Sequence, residues 1–398
     1  MNPTILAIDG GGVRGVIPLE FLNLIQENLG LCPLQDLIDL AIGTSSGGLS
    51  ILGLFNMQWD IRKCGAVFDH MARRIFHERR SSAFARASQA IFGRRSFFGT
   101  VHKWLLWLLY DGCYDGSVFD TALKEVYTNN RLFDSLRMGD SSTTHSKTRV
   151  GVVATSIARE TRSFVFGNFN STESAGQECG YEIVRPAHID SEPFVWEAAR
   201  ATAAAPFFFP PIDIRGIGSF QDGGLRDNLA ADIARRLSRQ IWPSRKHPAR
   251  LLSMGTGITD RPRDRPPHFR HVFQDGFLRR GFDAWMSSMD TETKWLEMMG
   301  QLEDAHKEDY LRLNIPLRDV PSAIDTVEVM EEYRNLVILS PGSARMAREA
   351  ATALLVSRFY FVLEILPEDT MAPFWCYGTI RCKGHAKQVV DALVHLRD

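Results

Sequence analysis

Apolar positions along the chain change their period several times, and each change marks an element. Thr4 to Asp9 (TILAID) is an apolar run of strand length, and Val16 to about Leu29 places Leu19, Leu22, Ile25 and Leu29 on one helical face. Leu37 to Ile42 (LIDLAI) is a second apolar run of strand length, and the GGLSILGLFNM after Ser46 buries itself only as a helix. The stretch 61–137 is helical in pattern and poor in strand signals. Beyond a polar loop from Gly139 to Thr148, the β-branched and aromatic runs Arg149–Ile157 and Ser163–Gly167 predict strands. Val195–Ala205 predicts a small-residue helix closed by Pro206, and Gly218–Gly224 and Leu251–Gly257 predict strands that end in glycine turns. Helical patterns cover about Val272–Gln301 and Ala323–Leu355, with a strand at Tyr310–Asn314 between them and a loop over 258–268. The tail changes character: Arg358–Leu366 and Phe374–Cys382 predict paired strands, followed by a short helix.

Strands alternate with helices through the first two-thirds, which predicts an α/β layered fold with a largely parallel sheet. Functional loops in such folds gather at the carboxyl ends of the strands. Three turns follow predicted strands, at Asp9, Gly43 and Asp222, so they can converge on one edge.

Composition narrows the classes. The 398 residues are 44% hydrophobic and 23% charged, ordinary for a globular protein, and the net charge of −1 offers no general attraction for nucleic acid. The charge is uneven: between Ile61 and Lys103 ten Lys/Arg face two acids, a solvated helical face or a surface for anionic lipid. The apolar block Trp104–Tyr110 is too short for a membrane span and reads as a buried helix, lid or interfacial segment. Cys32, Cys64, Cys113, Cys179, Cys376 and Cys382 form no C-x-x-C pair, which points to reduced thiols in a cytoplasmic protein rather than a disulfide framework or a zinc site. The start has no basic region and no apolar core of a secretory signal.

The turns carry the chemistry. Gly43-Thr44-Ser45-Ser46-Gly47 fits G-x-S-x-G with Ser45 at its centre, the pattern of a nucleophile on a sharp strand-to-helix turn. Asp9 to Gly15 (DGGGVRG) contains G-x-G-x-x-G, but the acid that a dinucleotide site needs at the end of the second strand is replaced by Gly43-Thr44-Ser45. The same glycine run exposes backbone N–H groups at a helix start, where they suit a developing oxyanion, and Arg14 either holds the loop or favours an anionic substrate. None of the eleven histidines stands in a recognisable catalytic setting, His188 being the least implausible. Asp222, in a Asp-Gly-Gly turn with Gly223 and Gly224, is the better candidate base for Ser45.

Taken in order, DGGGVRG, GTSSGG and DGG, with ARATAAAPFFFPP (Ala199–Pro211) before the last, resemble the patatin-like phospholipases over about residues 4–260. The resemblance implies a three-layer α/β/α fold with a largely parallel central sheet and a small C-terminal α+β extension. On that reading, residues 1–356 are the acyl hydrolase domain, with a helical insertion at about 61–137, and 357–398 are the extension. It implies Ser45 as nucleophile, Asp222 as general base, and Gly10, Gly11 and Gly12 with Arg14 alongside as the oxyanion site, with no metal or cofactor. The expected substrate is a phospholipid or lysophospholipid at a membrane surface, cleaved at its acyl ester. A non-catalytic or partner-regulated signalling module and a nucleotide-binding protein are the alternatives.

Overall fold

The computed structural model describes residues 2–76, 112–127, 148–157, 161–169, 180–184, 192–259, 285, 289–317, 324–364 and 377–397. The elements in chain order begin with β1 (Thr4–Ile8), α1 (Val16–Leu29), β2 (Leu40–Thr44), α2 (Ser46–Ile51), α3 (Ile61–Ile75) and α4 (Gly116–Tyr127). They continue with β3 (Arg149–Ser156), β4 (Ser163–Gly167), β5 (Tyr181–Val184), α5 (Val195–Thr202), β6 (Ile212–Ile214), β7 (Gly218–Asp222), α6 (Ala230–Ile241) and β8 (Arg250–Met254). The last are α7 (Thr291–Gly300), α8 (Asp304–Lys307), β9 (Tyr310–Leu313), α9 (Met330–Ile338), α10 (Pro341–Val356), β10 (Phe359–Leu363), β11 (Gly378–Cys382) and α11 (Ala386–Arg397).

One sheet runs β5-β4-β3-β2-β1-β8-β9, with β7 added on β3 and β6 on β7. The pairs β1–β2, β2–β3, β1–β8, β8–β9 and β4–β5 are parallel. Successive side chains of a strand leave on opposite faces, and the core divides accordingly. Leu6, Ile8, Val150, Val152, Leu252 and Met254 pack with α1, α3 and α10 on one face. Ile5, Ala7, Leu40, Ile42, Val153 and Leu251 pack with α6 and α7 on the other. The result is the three-layer α/β/α arrangement. The last helix α11 packs on α1, and its Val389, Ala392 and Leu396 belong to the same core as Leu22 and Ile25.

One detail of register builds the site. Along one edge of β3, residues 149–153 pair with β2, ending at Thr44↔Val153. From Ala154 onward the same edge pairs with β7 running the other way, beginning at Ala154↔Asp222. The last residue of β2 and the last of β7 therefore meet end to end.

The helix predicted over Val195–Ala205 ends at Thr202, and two further boundaries shift for local reasons. Leu34–Leu37 is a 3-10 turn after Pro33, and the second strand starts at Leu40 and reaches Thr44. Asp39 fixes that entry: its carboxylate accepts from Thr4 N at 2.9 Å, and its own N–H donates to Thr4 O at 2.8 Å. The helical stretch after Ala323 is two helices, because Pro341 starts α10 at its first position, where its missing N–H costs nothing. The segment Trp104–Tyr110 and His188 lie outside the described residues, as do the basic residues from Arg79 to Lys103. Among the described residues no helix is long and apolar enough to cross a membrane.

Candidate active site

The strand-to-helix turn at Ser45 is as sharp as its sequence predicts. Ser45 has φ +54° and ψ −126°, a conformation worth about 1–3 kcal/mol of strain for a residue with a side chain. The surroundings hold it there. Ser45 N–H donates to Thr202 Oγ1 at 2.9 Å, and Thr202 Oγ1 donates onward to Val153 O at 2.6 Å. Gly47 lets the turn close against the first strand, since a Cβ there would stand 2.3 Å from Ile8 O. Gly43 faces it, with a Cβ position 2.5 Å from Gly47 O.

Ser45 Oγ donates to Asp222 Oδ2 at 2.6 Å. The other carboxylate oxygen, Oδ1, accepts from Gly224 N at 2.7 Å. Gly223 lies flat on β3, its Cβ position 2.3 Å from Val153 O. Asp222 is 1% exposed. Burial pushes its carboxyl up to about 7 from the ordinary 3.8, against the lowering pull of its hydrogen bonds to Ser45 and Gly224.

The glycine turn after β1 abuts this pair. Gly12 has φ +59°, and a Cβ there would strike Ile324 O at 2.0 Å. Gly10 O accepts from Thr256 Oγ1 at 2.9 Å and Asn228 Nδ2 at 3.3 Å. Gly11 N–H donates to Ser46 Oγ at 3.0 Å, and Val13 N–H to Ile324 O at 2.8 Å. Arg14, buried, returns to its own loop: its N–H and its Nε both donate to Gly11 O, at 3.2 and 3.4 Å. These two bonds tie Arg14 to its own loop.

The turns open into one cavity with an empty volume of about 610 Å³, part of it open to solvent. Its lining includes Ser45, Ser46, Asp222 and Gly12, and Leu49, Phe68, Met71, Ile75, Phe209 and Trp285 are among its apolar walls. The Phe208–Phe209 wall is tied at its backbone, Cys113 N–H donating to the preceding Phe207 O at 3.1 Å and Tyr114 N–H to Phe208 O at 2.9 Å. Behind it the buried Arg200 binds Asp120 and Pro210 O, each at 2.8 Å.

The fold thus brings the three sequence motifs, Asp9–Gly15, Gly43–Gly48 and Asp222–Gly224, to one place. The chain belongs to the patatin-like phospholipase family. The match of the family model Patatin-like phospholipase covers residues 6–235, more than half the chain. Calcium-independent phospholipase A2-gamma of Mus musculus is 27% identical over 261 residues, covering 64% of this chain and 28% of that protein. Phospholipase A I of Arabidopsis thaliana is 22% identical over 281 residues, covering 64% of this chain and 20% of that protein. A cGAMP-activated phospholipase of Pseudomonas aeruginosa is 28% identical over 289 residues, covering 72% of this chain and 69% of that protein. The chain thus spans under a third of the length of the mouse and plant relatives. Human GIVD cytosolic phospholipase A2 aligns over 89% of this patatin-like chain and 59% of that chain at 13% identity, with a TM-score of 0.39.

Sequence motifs alone missed four supports of this patatin-like site. Thr202 holds the Ser45 turn, and Asn228 and Thr256 hold Gly10. Arg312 on β9 reaches Asp9 Oδ2 at 2.7 Å, while Asp9 Oδ1 accepts from Ala230 N at 3.2 Å at the start of α6. Burial pushes the Asp9 carboxyl up, and the Arg312 charge opposes that shift.

Proposed function

We propose that this chain hydrolyses fatty-acyl esters of phospholipids or lysophospholipids through a Ser45–Asp222 dyad. The observation that carries the reading is the 2.6 Å hydrogen bond from Ser45 Oγ to a buried carboxylate, both of them lining an apolar cavity. Ionised Asp222 takes the Ser45 proton as Oγ attacks the ester carbonyl. The charge that develops on the carbonyl oxygen meets the Gly12 N–H, since Gly12 lines the cavity while the Gly11 N–H is already given to Ser46 Oγ. Protonated Asp222 then gives its proton to the departing alcohol, leaving an acyl group on Ser45. Water, deprotonated by Asp222, attacks that ester, and Asp222 returns the proton to Ser45 Oγ as the acyl–oxygen bond breaks and the fatty acid leaves.

The apolar walls favour a single acyl chain, each buried methylene contributing about 0.8 kcal/mol. Their character also speaks against a nucleotide, whose phosphates would meet Phe, Met and Trp at the glycine turn. Residues 1–356 are the proposed hydrolase unit and 357–398 the proposed extension, whose described helix α11 packs on α1. The basic stretch from Arg62 to Lys103 is proposed to face anionic membrane, where the substrate resides.

The pH profile tests the dyad. Only ionised Asp222 accepts the proton, so kcat/KM is expected to rise about tenfold per pH unit below a pKa near 7 and to level off above it. A flat profile from pH 5 to 9 contradicts the assignment of Asp222.

A further inference from the structure

Ser46 follows the proposed nucleophile directly, and its side chain is 4% exposed. Its hydroxyl does not face Asp222. It accepts the Gly11 N–H at 3.0 Å, a hydrogen bond that joins the glycine turn directly to the strand-to-helix turn. Thr256, Asn228 and Ile324 hold the glycine turn from other sides. Gly15 leaves room for the Ser46 side chain, since a Cβ at Gly15 would stand 3.1 Å from both Ser46 Cβ and Oγ.

A peptide flanked by glycines rotates at little cost, because both of its dihedrals are nearly unrestricted. Two such peptides lie beside Ser45. The Gly10–Gly11 peptide is held at its oxygen by Thr256 and Asn228, and at its N–H by Ser46. The next, Gly11–Gly12, is held at its oxygen by Arg14. In a trans peptide the N–H points opposite to the carbonyl, so fixing these groups fixes the direction of the Gly12 N–H at the cavity.

We infer that the Ser46 hydroxyl is a positioning residue: by binding Gly11 N–H it keeps the glycine turn in register with Ser45, so that the Gly12 N–H meets the oxyanion. The inference rests on the hydrolase reading above. It assigns Ser46 a role in the transition state and none in binding the acyl chain.

The experiment compares wild type, Ser46→Ala, Ser46→Thr and Ser45→Ala in calcium-free hydrolysis of lysophosphatidylcholine. It adds two inhibitors, a long-chain trifluoromethyl ketone, which forms an oxyanion on Ser45, and oleic acid, which fills the cavity alone. Ser46→Ala is expected to lower kcat roughly 10- to 100-fold with KM within about twofold, and to weaken the ketone by a similar factor. Oleic acid affinity stays within about twofold, and Ser46→Thr restores most of kcat. The inference is overturned if Ser46→Ala keeps its kcat and its ketone affinity, if it loses ketone and oleic acid affinity equally, or if Ser46→Thr does not recover. Activity in Ser45→Ala equal to wild type, or none in wild type, overturns the hydrolase reading itself. An inactive Ser45→Ala beside an unimpaired Ser46→Ala overturns only the role of Ser46.

Discussion

Asp222→Asn is expected to lower ester hydrolysis by about 10³-fold or more while leaving the fold at least as stable above pH 7. The two halves of that result have one cause. Asparagine fits the site: its side-chain oxygen can still accept from Gly224 N, but its amide cannot take a proton from Ser45. The stability half follows from the raised carboxyl, about 7 in the folded chain against an ordinary 3.8. A raised acid contributes its full stability below the unfolded value, where both states are protonated. Between about 4 and 7 the unfolded chain ionises first, and stability falls by about 1.4 kcal/mol per pH unit. Above 7 that contribution is gone, and the buried carboxylate is a net burden that asparagine removes. Thermal unfolding of both chains at pH 5 and pH 8 checks this. Wild type should lose more stability than Asp222→Asn between the two. An asparagine variant that keeps a tenth of the activity, or that melts well below wild type at pH 8, contradicts it.

Arg312→Ala is expected to cost about 3–5 kcal/mol of folding stability, the usual consequence of removing one member of a buried ion pair. Arg312 is 8% exposed and Asp9 is fully buried. The guanidinium also reaches Ser253 Oγ at 2.7 Å, Thr291 Oγ1 at 2.8 Å and Glu292 Oε1 at 2.7 Å, so it ties β1, β8 and α7 together. Without it the Asp9 carboxylate keeps only the Thr291 hydroxyl and the Ala230 N–H among these contacts, with no opposite charge. Asp9→Asn in the Arg312→Ala background should therefore cost much less than Asp9→Asn alone, because both changes remove one shared interaction. Denaturant unfolding of the single and double variants gives the coupling. A loss below about 1 kcal/mol for Arg312→Ala, or strictly additive losses, contradicts the assignment.

These two residues show what could be read from the sequence. Asp222 was legible because its turn, Asp-Gly-Gly, stands in a fixed order with two other glycine turns. The reason it meets Ser45 was not. That depends on β7 taking over the edge of β3 where β2 stops, a register between residues far apart in the chain. Arg312 was invisible for the same reason: an arginine in a short strand such as Tyr310–Leu313 has no partner until the fold brings Asp9 alongside. Thr202 left a faint signal, a polar β-branched residue in a block of alanines. The helix Val16–Leu29 and the strand Ser163–Gly167 were read at their observed boundaries, because a local period sets them. The start of β2 was misplaced by three residues, since Asp39 and the pairing with Thr4 decide it rather than the apolar run.

The measurement that tests the central claim most directly is free fatty acid release from mixed phospholipid and lysophospholipid vesicles, without calcium, by wild type beside Ser45→Ala. Release by wild type and none by Ser45→Ala is the result the dyad predicts. Equal release by both would contradict it.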